Sequence, residues 1–307
     1  VLRGPQGTRY GANALAGLIN FSTNEPDEAL FTSVKLSGGE FGTQTAGVVL
    51  NIPISETLLS RFVFESHESD GYVENDFQDS NTTNDRDELT SRAKFSWQVK
   101  KNWSLNLSLA SIDIDNGYDA FSLDNNRHTL SDEPGFDRQN SVYVSLKSSW
   151  QLDGIDIEVL WNQSNSDLDY GYDEDWSFTG IHPWGYTSTD HYFRERDTTS
   201  AEIRLLSNES GRVFADTTDW VLGLYYLSSE ETLQRQYTFL PSEFLSDYKF
   251  DTTAIFTQLD IALSDRATLS AGLRLEERDT EYDDSDGAAF SPDDSFWGGK
   301  VALEYLA

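Results

Sequence analysis

Alternation of apolar and polar residues with period two constrains this chain more than any other feature. In Trp103-Ser-Leu105-Asn-Leu107-Ser-Leu109 every second residue is apolar and the residues between are Ser and Asn. A strand sends successive side chains to opposite faces, so this stretch is a strand with one greasy side. The pattern returns in Ala93–Val99, Val142–Leu146, Ile155–Trp161 and Ala267–Leu275. About twelve such segments can be drawn, near 30–38, 43–53, 57–67, 88–99, 102–113, 138–150, 155–167, 193–207, 217–234, 248–263, 267–278 and 296–305. Most are ten residues or longer, against about 5–6 for a soluble-protein strand. A tilted strand crossing a bilayer needs roughly 9–11.

The connections carry a second pattern. Short ones at 54–56, 100–101, 151–154 and 264–266, with a somewhat longer one at 208–216, alternate with long ones at 68–87, 114–137, 168–192, 235–247 and 279–295. In an up-and-down sheet every second connection lies at the same end. One end therefore has tight turns and the other large loops, as in outer-membrane barrels. The polar face carries Arg92, Lys94, Lys147, Asp156, Glu158, Arg274 and Glu276, which are costly in a dry core but not against a wet lumen. Trp97, Trp103, Trp150, Trp161, Trp220, Tyr226 and Tyr305 lie near the ends of apolar stripes, where interfacial girdles belong. The competing reading is sheet-core packing in a soluble, glycan-binding sandwich, with short strands and a dry core.

Composition removes other classes. The net charge is −31, from 22 Lys+Arg against 53 Asp+Glu. That argues against nucleic acid and against docking on an anionic membrane surface, but not against a barrel within a membrane. Without Cys there is no disulfide, thiolate metal site or Cys nucleophile. No apolar run is long enough for a transmembrane helix. The first residue is Val and Met is absent throughout, so a trimmed or partial chain is expected.

The opening stretch, VLRGPQGTRYGANALAGLINFST, is Gly-rich without being a Walker loop or a dinucleotide fingerprint. It resembles the C-terminal end of the plug domain of TonB-dependent outer-membrane receptors. The resemblance rests on Leu2 to Thr8, Tyr10-Gly11, Asn13-Ala14, Gly17 and Ile19-Asn20, with Arg9 and Ala16 as mild departures. Trp220–Tyr226, Ala254–Asp260 and Leu269–Leu275 resemble barrel strands of that family in the expected order. The resemblance implies an all-β fold: residues 1–25 ending a plug, and 26–307 a partial antiparallel up-and-down transmembrane barrel. Plugged barrels have about 22 strands, so roughly ten strands, most of the plug and its TonB-binding segment are expected to lie outside this chain. The same likeness singles out Arg3, Gly4, Pro5, Gly7, Tyr10, Gly11, Gly17 and Asn20 as the plug motif. It gives Arg3 acidic partners on the lumen wall.

The implied function is TonB-coupled uptake of a scarce nutrient, most commonly a ferric siderophore. Cobalamin, an oligosaccharide or a passive outer-membrane channel are the alternatives. The implied partners are TonB, a small ligand such as a metal chelate, and outer-membrane lipid, with no nucleic acid and no cofactor. Aromatic residues of the connections, Tyr172, Trp176, Trp184 and Tyr237 foremost, are candidates for stacking on such a ligand. The acidic runs at 68–87 and 278–294 are expected to be solvated loops. His67, His128, His182 and His191 form no metal-binding spacing, and no GxSxG elbow exists. No catalytic residue and no metal ligand are expected, although a barrel enzyme using a Ser/His pair is the remaining rival.

Overall fold

The structure, a computed structural model, describes residues 1–306 except Asn13, Leu15, His182 and Trp184. Its strands are β1 (Leu2–Arg3), β2 (Gly17–Leu18), β3 (Phe31–Gly38), β4 (Gln44–Pro53), β5 (Leu58–Ser69), β6 (Glu74–Asn75), β7 (Arg86–Lys100), β8 (Trp103–Tyr118) and β9 (His128–Thr129). They continue as β10 (Gly135–Gln151), β11 (Ile155–Asp173), β12 (Thr189–Ser207), β13 (Thr218–Tyr237), β14 (Phe244–Ser264), β15 (Ala267–Asp284), β16 (Ala289–Phe290) and β17 (Asp293–Tyr305). The long strands, from 8 residues in β3 to 21 in β14, form one antiparallel meander in chain order. Each of the twelve expected segments falls in one of them. The sheet is open, with β3 and β17 as its edges.

One face receives residues 1–25 and is called inner. The outer face changes character along each strand. On β15 the outward residues are Leu269, Ala271, Leu273 and Leu275, then Glu277, Asp279, Glu281 and Asp283. On β11 they are Ile155, Ile157, Val159 and Trp161, then Gln163, Asn165, Asp167 and Asp169. The apolar part begins at the tight turns and is long enough to cross a bilayer; the acidic part stands beyond it. Leu224 and Leu275 are 52% and 50% exposed on that outer stripe, whereas the buried hydrophobic residues among those described are Val73, Val221, Ala254 and Phe256. A soluble sandwich needs a dry apolar core, and this sheet does not build one.

Two expected long loops are short. Strand pairing continues past the apolar stripe, so the connections 235–247 and 279–295 shrink to 238–243 and 285–292. Asp279, Glu281, Asp283 and Asp284 are ladder residues, opposite Asp251, Lys249, Asp247 and Ser246 of β14. Alternation of apolar with polar ends where the lipid ends, but backbone pairing does not, and this is why the sequence pattern stops early. Long loops persist at 70–85, 119–134 and 174–188.

At the opposite end, the turn between β12 and β13 holds Phe214, Ala215 and Asp216 at φ of 53°, 60° and 61°. Three consecutive non-glycine residues in the left-handed region store strain. Ala215→Gly should therefore raise stability by about 0.5–1 kcal/mol, read as a higher urea midpoint for the refolded protein in detergent.

Candidate functional site

Residues 1–25 form a small turned element seated on the inner wall. β1 and β2 pair through Leu2↔Leu18 and Arg3↔Gly17. Gly4 at φ +77° opens the turn that follows, and Gln6 N–H donates to Ala14 O at 2.9 Å. The turn buries Gln6, Gly7, Thr8 and Gly11 and leaves Pro5 exposed. Thr8 Oγ1 donates to Gln258 Oε1 at 2.9 Å, Gly11 N–H to Glu202 Oε2 at 3.2 Å, and Arg274 Nη1 to Gly7 O at 3.2 Å. Arg9 reaches Asp260 at 3.5 Å, and the Arg204 guanidinium lies 5.6 Å from the Tyr10 ring centre. Further along, Lys94 donates to Glu25 at 2.5 Å and to Thr23 O at 3.3 Å.

Glycines on both sides make this seat possible. A Cβ on Gly11 would stand 2.1 Å from Tyr225 Cδ2, and one on Gly272 would stand 2.6 Å from Thr8 Cβ. Behind the contacts runs a chain of charges: Lys147 pairs with Glu158, Glu158 with Arg204 at 2.6 Å, and Arg204 with Glu202 at 3.1 Å. Arg274 pairs with Glu276 at 2.6 Å. Each wall carboxylate thus keeps a cationic neighbour while Glu202 presents its second oxygen to Gly11.

Arg3 does not take the acidic partners expected of it. Its side chain is exposed, no ion pair forms at it among the described residues, and its backbone is committed to the β1–β2 pair. Arg9, one of the departures from the family pattern, makes the segment's ion pair with the wall instead. Asn20 donates locally to Ser22 and lines a cleft of about 750 Å³ between the segment and β7–β12, together with Phe21, Arg92, Lys94, Tyr143 and Lys147. The wall residues Glu202, Tyr225, Gln258 and Gly272 carry no local motif. They are found only through the registers that align them.

Towards the long loops the inner face becomes aromatic. Tyr118, Tyr170 and Tyr192 form a run of ring contacts at 5.0 and 6.3 Å, and Phe121 bridges Tyr172 at 5.6 Å and Trp176 at 5.0 Å. Asp190, buried beneath them, accepts Arg235 Nε and Nη2 at 2.8 and 2.7 Å and the Tyr192 hydroxyl at 2.9 Å. Arg235 in turn lies 5.1 Å from the Tyr237 ring centre. Burial, with Asp190 close by, holds the Tyr172 and Tyr192 phenols above their ordinary range. Of the four candidate aromatics, Tyr172, Trp176 and Tyr237 therefore belong to one surface, while Trp184 lies outside the described residues. Tyr172 and Tyr237 sit on strands rather than loops.

The long loops are knotted above this surface. Asp119 Oδ2 accepts Asn75 Nδ2, Thr83 Oγ1 and Thr129 Oγ1 at 2.8, 2.8 and 2.7 Å. Phe77 stacks on Phe178 at 4.6 Å. The parallel pair β6–β9 also brings Glu74, Asp76 and His128 together, their ligand atoms within 4.8 Å of one another and all three side chains exposed. The set has metal-ligand chemistry that the sequence did not reveal, because its members come from two loops.

No family model matches the chain. The pesticin receptors of Yersinia pestis and Yersinia enterocolitica are 25% and 26% identical to it over 300 residues, covering 92% of this chain and 42% of each relative. The chain thus spans less than half the length of these relatives. The crystal structure of the ferric yersiniabactin uptake receptor FyuA from Yersinia pestis superposes with a TM-score of 0.78 at 19% identity, over 98% of this chain and 48% of that one. The ferric-catecholate import receptor Fiu from E. coli, in its open form, gives 0.71 at 14% identity, over 99% and 57%. The chain carries the fold of the TonB-dependent outer-membrane receptors. A receptor barrel of this kind resides in the outer membrane of Gram-negative bacteria, which agrees with the outer apolar stripe.

Two outcomes follow for this receptor fold. Glu202→Ala leaves Arg204 without its near partner and Gly11 N–H without an acceptor. It should loosen the segment by up to about 3 kcal/mol, read as faster proteolysis within residues 1–25. His128 is raised above 6.5, first by its hydrogen bond to Asp76 and then by that carboxylate's charge. Its link between loops is therefore complete below pH 6.5 and is lost as pH rises through the higher folded value. NMR titration of the His128 ring should show that value, and Asp76→Asn should return it towards 6.5.

Proposed function

We propose that residues 1–25 are the end of a plug domain, that residues 26–307 are part of the surrounding barrel, and that the protein takes up a ferric siderophore across the outer membrane by TonB-coupled transport. The observation that carries this reading is the seating of the N-terminal segment on the inner wall through Thr8, Gly11 and Gly7. A passive channel has no use for an element latched inside its lumen. FyuA and Fiu, which share the fold, are named for ferric yersiniabactin uptake and ferric-catecholate import. The aromatic surface around Tyr172, Trp176 and Tyr237 faces the same lumen above the plug segment and offers rings on which an aromatic chelate can stack. In this reading the ligand binds there, TonB pulls on the plug, and the contacts at Glu202, Gln258 and Arg274 are those that must yield. They are hydrogen bonds and ion pairs in a wet lumen, individually modest and separable in sequence under load. The ligand crosses unchanged, so no catalytic group is required.

The test is uptake of radioactive iron, supplied as ferric catecholate and ferric phenolate chelates, into cells expressing the whole receptor. Uptake should cease with a protonophore or without TonB, and Gly11→Val should lower it by driving a side chain into Tyr225. Uptake that persists without TonB would return the protein to the passive channels.

A further inference from the structure

Beneath the loop knot lies a buried set of oxygens that the receptor reading does not use. Asp173, at the end of β11, is 5% exposed, and Ser131, in loop 119–134, is 1% exposed. Asp173 Oδ1 accepts the N–H groups of Asp175 and Trp176 at 3.1 and 3.0 Å, which fixes the carboxylate in place. Its other oxygen, Oδ2, has no hydrogen-bond partner, and neither has Ser131 Oγ. The two groups are close enough to influence one another, with Asp132 and Asp175 adding their negative fields. Asp119, Asp132 and Asp173 form no ion pair with Lys or Arg among the described residues. Two buried oxygens left unpartnered beside several carboxylates are costly unless something positive or hydrogen-bonding lies between them.

We propose that Asp173 Oδ2 and Ser131 Oγ, with the Asp132 carboxylate beside them, bind a calcium ion that staples loop 119–134 to the start of loop 174–188. The donors named are all oxygens, which suits a hard cation rather than zinc or copper. Asp132 already touches both loops: its N–H donates to Ser177 O at 3.2 Å and its Oδ1 accepts Thr187 Oγ1 at 3.3 Å. Water completes the shell. The staple has a consequence for the aromatic surface, because Phe121 and Trp176, stacked at 5.0 Å, come from the same two loops. The ion holds that pair in register across the seam.

The experiment uses the whole receptor in detergent, freed of lipopolysaccharide and stripped with EDTA, and needs no transported ligand. Amide hydrogen exchange of residues 119–134 and 174–188 is followed as calcium is added. Protection should rise saturably with a half-effect on the order of 10⁻⁴–10⁻³ M, and opening should slow about tenfold at ten times that concentration. Asp173→Asn keeps an acceptor for the Asp175 and Trp176 N–H groups but removes the charge, and should abolish the response. Ser131→Ala should weaken it. Asp76→Asn, in the exposed cluster with His128, should respond as the wild type does. Equal protection in EDTA and calcium would mean that the two oxygens share a water only, and the proposal would fall. So would a loss of response in Asp76→Asn, which would place the ion at the exposed cluster. If Asp173→Asn does not fold, Ser131→Ala decides: an undiminished calcium response there overturns the site.

Discussion

The structure depends on one constraint: each strand must satisfy hydrocarbon on one side and a wet interior on the other. Period two makes these demands separable, since every second side chain answers to only one of them. It also fixes register. A slip of one residue between β14 and β15 would turn Arg274 and Glu276 outward into lipid and Leu273 and Leu275 inward. The cost of such a slip grows with every charged residue on the inner face, so the polar face specifies the sheet as firmly as the apolar one. Backbone pairing supplies the cohesion, and this explains how a sheet can persist with so few buried apolar side chains.

That constraint also sets what was legible in the sequence. All twelve long strands could be read wherever lipid imposes alternation, from Phe31–Gly38 to Asp293–Tyr305. Reading failed where lipid ends. Asp279 to Asp284 are solvated on their outer side, so nothing in their order distinguishes a ladder from a loop, and only pairing with β14 makes them strand. The candidate site divides the same way. Gly7, Tyr10 and Gly11 were accessible through a local motif, because a tightly turned element needs its glycines close together in sequence. Glu202, Gln258 and Gly272 come from different strands and meet only through register. Arg3 illustrates the opposite error. A motif identifies a residue, but its partner is set by which side of the turn faces the wall, and here Arg9 faces it.

The seat of the N-terminal segment combines steric fit with weak chemistry. Gly11 and Gly272 let main chain approach main chain, which excludes larger side chains at both positions. The bonds made across that contact are few and mostly single: one hydroxyl, one amide N–H, one carbonyl. A close fit gives the segment a definite position, while modest bonds keep its release within reach of an applied force. A dry apolar interface of the same area would hold more strongly and would have to part all at once.

Charge is divided by face rather than by region. The chain has a net charge of −31, yet its inner surface carries Arg194 over Tyr192 at 5.1 Å, Arg235 over Tyr237 at 5.1 Å, Arg274 over Tyr225 at 5.8 Å and Arg278 over Phe250 at 4.1 Å. The outer surface beyond the apolar stripe carries Asp113, Asp167, Glu195, Asp247 and Asp283 along one register row. A solute approaching the outside meets carboxylates, whereas one inside the lumen meets guanidinium groups stacked on rings. At physiological ionic strength the field of the outer carboxylates decays over about 8 Å. Their effect is therefore on what approaches the rim, and the arginines decide what is held within. Net charge bears on solubility and on partners that bind the outside. For a protein that binds through its interior, the charge that matters is that of the face turned inward, and here that face is cationic and aromatic.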